Sequence, residues 1–172
     1  MTVKLEDLDL DPVFDADGTL VMPIMIRGRI LRPAIINGKV QTGYYICSNG
    51  MPWSTKRGGL TQLSVNYNLD LDYPKTGLWI KSKTKTIEIH NFVCQTWYNK
   101  PYKPDCISDA DWEVTPESVR RLCDDLYEAH HIDHNTRNHH PSNLKWVTKE
   151  ENRQFWLEHK KKLQEDLENH NE

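Results

Sequence analysis

YEAHHIDHNTRNHHPSNLKWVTKEENRQ, running from Tyr127 to Gln154, is the stretch on which the fold turns. Seven of the eight histidines lie beyond residue 129 and five fall between His130 and His140, so groups that titrate near neutrality and ligate metals are concentrated there. Tyr127 to Ile132 is short, apolar up to a His-His pair, and stopped by Asp133, His134 and Asn135, which predicts a strand. Asn143-Leu144-Lys145-Trp146-Val147 alternates in the same way and predicts a second strand, joined to the first by a long polar loop. Thr148 with Glu151 three residues on is a capping box, which satisfies the free backbone donors of a helix start ahead of Phe155, Trp156 and Leu163. The order is strand, strand, helix.

Adjacent residues on a strand point to opposite faces, so His130 and His131 cannot do the same job. Asn152 sits on the first turns of the helix, where it can face back toward the strands. One histidine and the asparagine can hold a metal ion from two elements while the other histidine takes a proton from water. That division of labour suits metal-assisted hydrolysis, in which the ion stabilises developing charge and a neutral imidazole acts as base.

The pattern H-H-I-D-H-N-x-x-N-x-x-P-S-N-L-x-W-V-T-x-x-x-N, from His130 to Asn152, resembles the HNH (ββα-metal) nucleases, in particular the intron-encoded and free-standing HNH homing endonucleases of phages. Position by position, the resemblance implies His131 as general base, Asn143 as the residue that braces the loop, and His130 and Asn152 as metal ligands. It implies one divalent ion, Mg2+ first, with Mn2+ or a softer ion such as Zn2+ as alternatives. His130 stands where many relatives of this branch carry Asp, and an imidazole with an amide favours a softer ion than two oxygens would. Upstream, Tyr45-Ile46-Cys47-Ser48-Asn49-Gly50 and Ile89-His90-Asn91-Phe92-Val93 resemble the short module that often precedes the nuclease motif in these phage enzymes. The resemblance also implies a phage-encoded protein acting in the cytoplasm of a bacterial host.

Against the nuclease stands a structural zinc site or an inactive histidine-rich loop. Structural zinc wants four closed N or S ligands, and Cys47, Cys94, Cys106 and Cys123 form no C-x-x-C pair. His134, His139 and His140 read as solvated loop residues or phosphate contacts rather than ligands.

A chain of 172 residues is long enough to bury a core unaided. Scattered cysteines, no signal-like start and no apolar run able to cross a bilayer lead us to expect a soluble intracellular protein with reduced thiols and no membrane partner. The net charge of -3 is unfavourable for phosphate contacts, but it is segregated. Residues 1–17 hold six acids and one Lys, residues 18–104 hold twelve Lys or Arg against three acids, and residues 105–128 hold eight acids against two Arg. The middle is the electrostatic footprint of a backbone-binding surface. The expected fold class is α+β, an antiparallel sheet-rich basic N-terminal module followed by a ββα-metal motif. Its expected organisation is a DNA-contacting module over 1–104, an acidic helical insertion over 105–126, and the nuclease motif with its helix over 127–172.

Within the basic module, Thr19 to Ile26 is β-branched and apolar but interrupted by Pro23, which suits an edge strand or bulge. Arg29 to Ile36 and Lys39 to Cys47 flank Asn37-Gly38, a signal for a type I′ hairpin. Ser54 to Gly59 predicts a flexible loop carrying Lys56 and Arg57. Leu78-Trp79-Ile80 and Thr86-Ile87-Glu88-Ile89 predict a hairpin around a loop of Lys81-Ser82-Lys83-Thr84-Lys85. Lys56, Arg57, Lys81, Lys83 and Lys85, with Arg137 in the histidine-rich loop, are the candidate DNA contacts. Ile89 to Tyr98 predicts a short helix with Phe92, Val93 and Trp97 in the core and His90 packed or capping, outside the site. Pro101 and Pro104 open a linker.

Thr115-Pro116 predicts a helix N-cap and first residue, with Val119, Leu122, Cys123 and Leu126 as the apolar face. Asp124, Asp125 and Glu128 could add a carboxylate to the metal, and of these Glu128 shares the strand face of His130. The final helix is expected from Lys149 to Glu168, fraying beyond Lys162. One such site cuts one strand, so a monomer would nick and a dimer would cut both. A structure-specific or nonspecific nuclease, or a non-catalytic DNA-binding module, are the competing functions.

Overall fold

Asn37 and Gly38 both take positive φ, 51° and 69°, and Ile36 pairs directly with Lys39 across them. This is the two-residue type I′ connection that a right-handed strand twist favours. It joins Arg29–Ile36 (β2) to Lys39–Cys47 (β3), the centre of an antiparallel sheet with order β1-β2-β3-β4-β5. The other members are Ile24–Ile26 (β1), Pro52–Ser54 (β4) and Thr61–Gln62 (β5). The computed structural model describes residues 13–68, 72–98, 100, 101, 103, 104 and 106–169, with the side chain of Asp124 outside it. The acid-rich residues 1–12 and the candidate carboxylate of Asp124 therefore lie outside the described residues.

Pro23 precedes β1, which is shorter than the expected Thr19 to Ile26 and forms the sheet edge. Pro33 lacks a backbone donor, and the β2–β3 register shifts between Pro33 and Ile35. The shift turns the Ile35 amide out of the ladder to donate to Thr96 Oγ1 at 3.1 Å. Thr96 belongs to helix Ile89–Trp97 (α1), so the bulge docks the helix on the sheet.

Lys75–Ile80 (β6) and Lys83–Glu88 (β7) form a second antiparallel pair. The expected five-residue lysine loop is corrected to a two-residue turn of Lys81 and Ser82, both at positive φ (49° and 62°). Lys83, Thr84 and Lys85 instead stand in the strand. β7 runs directly into α1, whose Ile89, Phe92, Val93 and Cys94 are fully buried. One core joins these to Ala34, Ile36, Tyr44 and Ile46 of the first sheet, Leu78 of the hairpin, and Ala129 and Leu144 of the last strand pair.

The acidic segment departs from expectation. Asp109–Val114 (α2), capped by Ser108, was not foreseen, and Thr115 closes it by donating from Oγ1 to the Asp111 carbonyl at 2.7 Å instead of capping the next helix. Glu117–Asp124 (α3) carries Val119, Leu122 and Cys123 at the expected spacing but ends before Leu126, and Leu122 is 69% exposed, with Val119 and Leu126 exposed as well. The four cysteines are free thiols.

Tyr127–His131 (β8) and Leu144–Thr148 (β9) pair antiparallel, and Lys149–Asn169 (α4) follows at once. The Thr148–Glu151 box is made in both directions: Thr148 N–H donates to the Glu151 carboxylate at 2.7 Å and Glu151 N–H to Thr148 Oγ1 at 3.2 Å. α4 continues through the polar stretch after Lys162 to Asn169, and it buries none of its residues fully, leaving Trp156, Leu157, Leu163 and Leu167 exposed. Among the described residues no helix is long and apolar enough to cross a membrane.

Candidate active site

Phe155 ties the first turns of α4 to β8: its ring lies 5.0 Å from that of His130, and the Lys145 ammonium lies 4.1 Å from its centroid. This contact brings Asn152, one turn earlier, over the strand. Asn152 Oδ1 lies 2.8 Å from His130 Nδ1, and Asn152 Nδ2 donates to Glu128 at 2.9 Å. Glu128 and His130 share a strand face, as their spacing of two requires. The carboxylate accepts only from the amide nitrogen, so the amide oxygen is the end turned to the imidazole. Burial lowers the His130 pKa, opposed by the hydrogen bond to Asn152.

His131 faces the other way. Its ring lies 5.1 Å from that of His90 and 6.0 Å from that of Tyr73, nearly parallel to the latter. Its Nε2 is buried with no hydrogen-bond partner among the described residues. Burial pushes the His131 pKa down to about 4, despite Asp133 acting the other way, and pushes that of His90 down to about 3. Both rings are therefore neutral at pH 7, and each can accept a proton.

The loop between the strands is tied from within. Asn143 Oδ1 accepts from the Asp133 amide at 3.1 Å, and its Nδ2 donates to Asp133 Oδ1 and to the Asn138 carbonyl, both at 2.8 Å. His139 is not solvated as expected. It is 5% exposed, lies 3.3 Å by Nε2 from the Tyr67 hydroxyl, and packs its backbone on Gly50. His140 remains exposed and accepts the Ser142 amide at 3.2 Å, capping a short 3-10 turn, Pro141–Asn143. His134, at φ 58°, stacks on His159 of α4 with centroids 4.1 Å apart.

A cleft of about 740 Å³ opens over these groups, lined by Glu128, His130, His131, His134, Asn152 and His159, with Asp72, Lys149 and Arg153 among its other walls. The candidate DNA contacts do not line this cleft, although Arg137 follows Thr136, which does. Lys56 and Arg57 border a separate groove with Trp79, Lys81, Lys83 and Lys85 are exposed along the hairpin, and Arg137 is exposed, its guanidinium 3.5 Å from the Tyr67 carbonyl.

Among the described residues no three His, Cys, Asp or Glu side chains converge as a metal-holding group. The His130–Asn152 pair nevertheless has the chemistry of a partial site. Two donors at about 2.1 Å from one ion and at right angles would be about 3.0 Å apart, close to the observed 2.8 Å. A set of two suits an ion that keeps water and substrate oxygens, as Mg2+ and Mn2+ do, better than a closed four-ligand zinc site.

Three contributors were not read from the sequence. His90, set aside as a core histidine, is indeed buried, but against His131. Tyr73 comes from an irregular segment that carries no motif. His159 had a signal: seven residues, two helical turns, after Asn152, it shares that residue's face.

No known protein family and no curated protein matches the chain. Among solved structures, the chain is similar to that of the HNH homing endonuclease I-HmuI, described for DNA binding and cleavage, at 20% identity and a TM-score of 0.48 over 74% of this chain and 62% of that one. The chain thus spans less than two thirds of the I-HmuI chain.

Proposed function

We propose that the protein is a metal-dependent DNA endonuclease of the HNH (ββα-metal) kind, hydrolysing phosphodiester bonds at the cleft between β8 and α4, as a phage homing endonuclease acting in the bacterial cytoplasm would. The observation that carries this reading is the convergence of His130 and Asn152 from a strand and a helix on a cleft that His131 also lines, His131 being neutral with its Nε2 unpaired among the described residues. His130 and Asn152 would hold the ion, which when bound would neutralise charge on the scissile phosphate.

The chain's own groups supply the remainder. His131, already unprotonated at neutral pH, takes a proton from the attacking water at Nε2 and so is the general base. The low pKa makes it a weak base, but leaves the whole population in the accepting form. Glu128 orients the Asn152 amide, and Asn143 keeps the loop after His131 in register. Lys149 and Arg153 at the cleft wall complement phosphate. The basic sheet and hairpin carry flanking DNA on Lys56, Arg57, Lys81, Lys83 and Lys85, with Arg137 beside the cleft, while 105–126 is an acidic insertion outside that surface.

The test is cleavage of supercoiled plasmid by wild type and His131→Ala, with Mg2+, with Mn2+ and with a chelator. Open-circle product that needs metal and vanishes in the variant is the expected result, and linear product would indicate paired protomers. Equal cutting by the variant would remove His131 from the role of base. Metal-independent binding to DNA with no cutting, on supercoiled plasmid and on branched substrates alike, would favour a binding module.

A further inference from the structure

Lys56 and Arg57 share their groove, of about 720 Å³, with the side chain of Trp79, which is 58% exposed. We infer that this groove, between the tip of the first sheet and the β6–β7 hairpin, binds an unstacked nucleobase of single-stranded or locally opened DNA, with the base on the Trp79 ring and its flanking phosphates on Lys56 and Arg57. The inference takes DNA as the partner, in keeping with the proposed function, but needs no cleavage.

The platform is built and held. In an antiparallel pair, a residue outside the hydrogen-bonded positions turns its amide and carbonyl away from the partner strand, and Trp79, opposite Thr84, does so. Tyr44 Oη meets both groups, accepting from Trp79 N–H at 2.7 Å and donating to the Trp79 carbonyl at 3.0 Å. The indole is thereby fixed at its root while its face stays open. The same Tyr44 ring carries the Lys56 ammonium 5.4 Å from its centroid. Gly43, at φ 80°, makes room for this: a Cβ there would lie 3.1 Å from Lys56 Cε. One tyrosine thus sets both the aromatic plate and the cation beside it.

Charge identifies the occupant. Among the described residues no acidic side chain borders the groove, and the sequence holds no Asp or Glu between Asp17 and Asp70. An exposed aromatic face flanked by cations, without acids, is the arrangement that takes bases by stacking and phosphates by charge, with little regard to base identity. Lone exposed apolar residues are ordinary on protein surfaces, but this indole is backed by a dedicated double hydrogen bond. Trp79 stands six positions along the chain from Tyr73, whose ring stacks near His131, a reach of at most about 20 Å. The captured base would lie within about six base steps of the cleft.

The experiment measures binding, in chelator, of a fluorescent oligo-dT and of an abasic deoxyribose-phosphate chain of the same length. Trp79→Ala is expected to weaken oligo-dT about tenfold, the worth of one stacked base, and to leave the abasic chain unchanged. Trp79→Phe should recover most of the loss. Lys56→Ala with Arg57→Ala should weaken both chains and flatten their salt dependence. Because Trp79 is exposed, circular dichroism should show the variants folded. An unchanged affinity of Trp79→Ala for oligo-dT, an equal loss on both chains, or no binding of either chain by wild type would each overturn the inference. Base-dependent binding by a protein that never cuts plasmid would keep it and sink the nuclease reading alone.

Discussion

The carboxylate of Glu128 holds the amide nitrogen of Asn152 at 2.9 Å, and this is what leaves the amide oxygen facing Nδ1 of His130. A free asparagine amide would present either end. The glutamate therefore acts on the donor pair without belonging to it, the relation that outer partners commonly hold to metal ligands.

Replacing Glu128 by Ala should accordingly weaken Mn2+ binding by about 10- to 100-fold. Isothermal titration on the DNA-free protein checks this, and plasmid cutting should recover at saturating metal because the proposed base, His131, is untouched. Glu128→Asp, shorter but still an acceptor, should fall between. An affinity unchanged in Glu128→Ala would mean that the amide needs no external support.

The Asn143 side chain uses both ends at once, accepting from one backbone group while donating to a carboxylate and a carbonyl. Asn143→Asp removes both donor bonds and sets a second carboxylate against Asp133. The exposed Asp133 carboxylate and the half-buried Asn138 carbonyl lose their donor, and with each such bond worth on the order of 1 kcal/mol we expect a loss of about 1–2 kcal/mol in urea unfolding. Asn143→Asp should destabilise at least as much as Asn143→Ala. Wild-type stability in Asn143→Asp would show that the loop is braced by other groups.

Gly50 is where the first sheet touches the histidine-rich loop. A Cβ at Gly50 would lie 2.2 Å from the His139 carbonyl oxygen, a backbone atom that cannot rotate aside, and the residue sits at φ 82°. Gly50→Ala therefore combines backbone strain with a clash and should cost about 2–4 kcal/mol. Thermal melting reads the loss, and a shift in cleavage at a temperature where the variant is folded would report displacement of the loop. A variant that melts with wild type would mean that the two segments part freely.

How much of this was legible follows physical lines. The Asn37-Gly38 hairpin and the Thr148–Glu151 box were readable because local chemistry alone specifies them. The Lys81-Ser82 turn was not, because neither residue advertises the positive φ it adopts, and a strand of lysines and threonines looks like a loop. Val119 and Leu122 have a helical spacing that the structure honours, while Leu126 falls beyond the helix end; periodicity says nothing about whether a partner exists, and those side chains are exposed. At the site, Glu128, His130 and Asn152 were within reach of strand and helix periodicity. His90 was not, because its contact with His131 crosses 41 positions of chain and depends on α1 being docked by the core.

The burial of these two histidines gives the protein a pH dependence of defined sign. His90 and His131 have folded pKa values of about 3 and about 4, both lowered chiefly by burial, against 6.5 when unfolded. Below pH 6.5 the unfolded chain takes up protons that the folded chain refuses, so stability present above that pH is lost as pH falls toward 4. Each histidine contributes a slope on the order of 1 kcal/mol per pH unit. Melting in chelator at pH 7.0, 6.0 and 5.0 should show a progressive fall in Tm, in a window above the range where ordinary carboxylates titrate. His90→Gln, which fills the space with a group that does not titrate, should lower stability at pH 7 but flatten the slope between pH 6.5 and 5. A slope equal to wild type in His90→Gln would place the acid sensitivity elsewhere in the molecule.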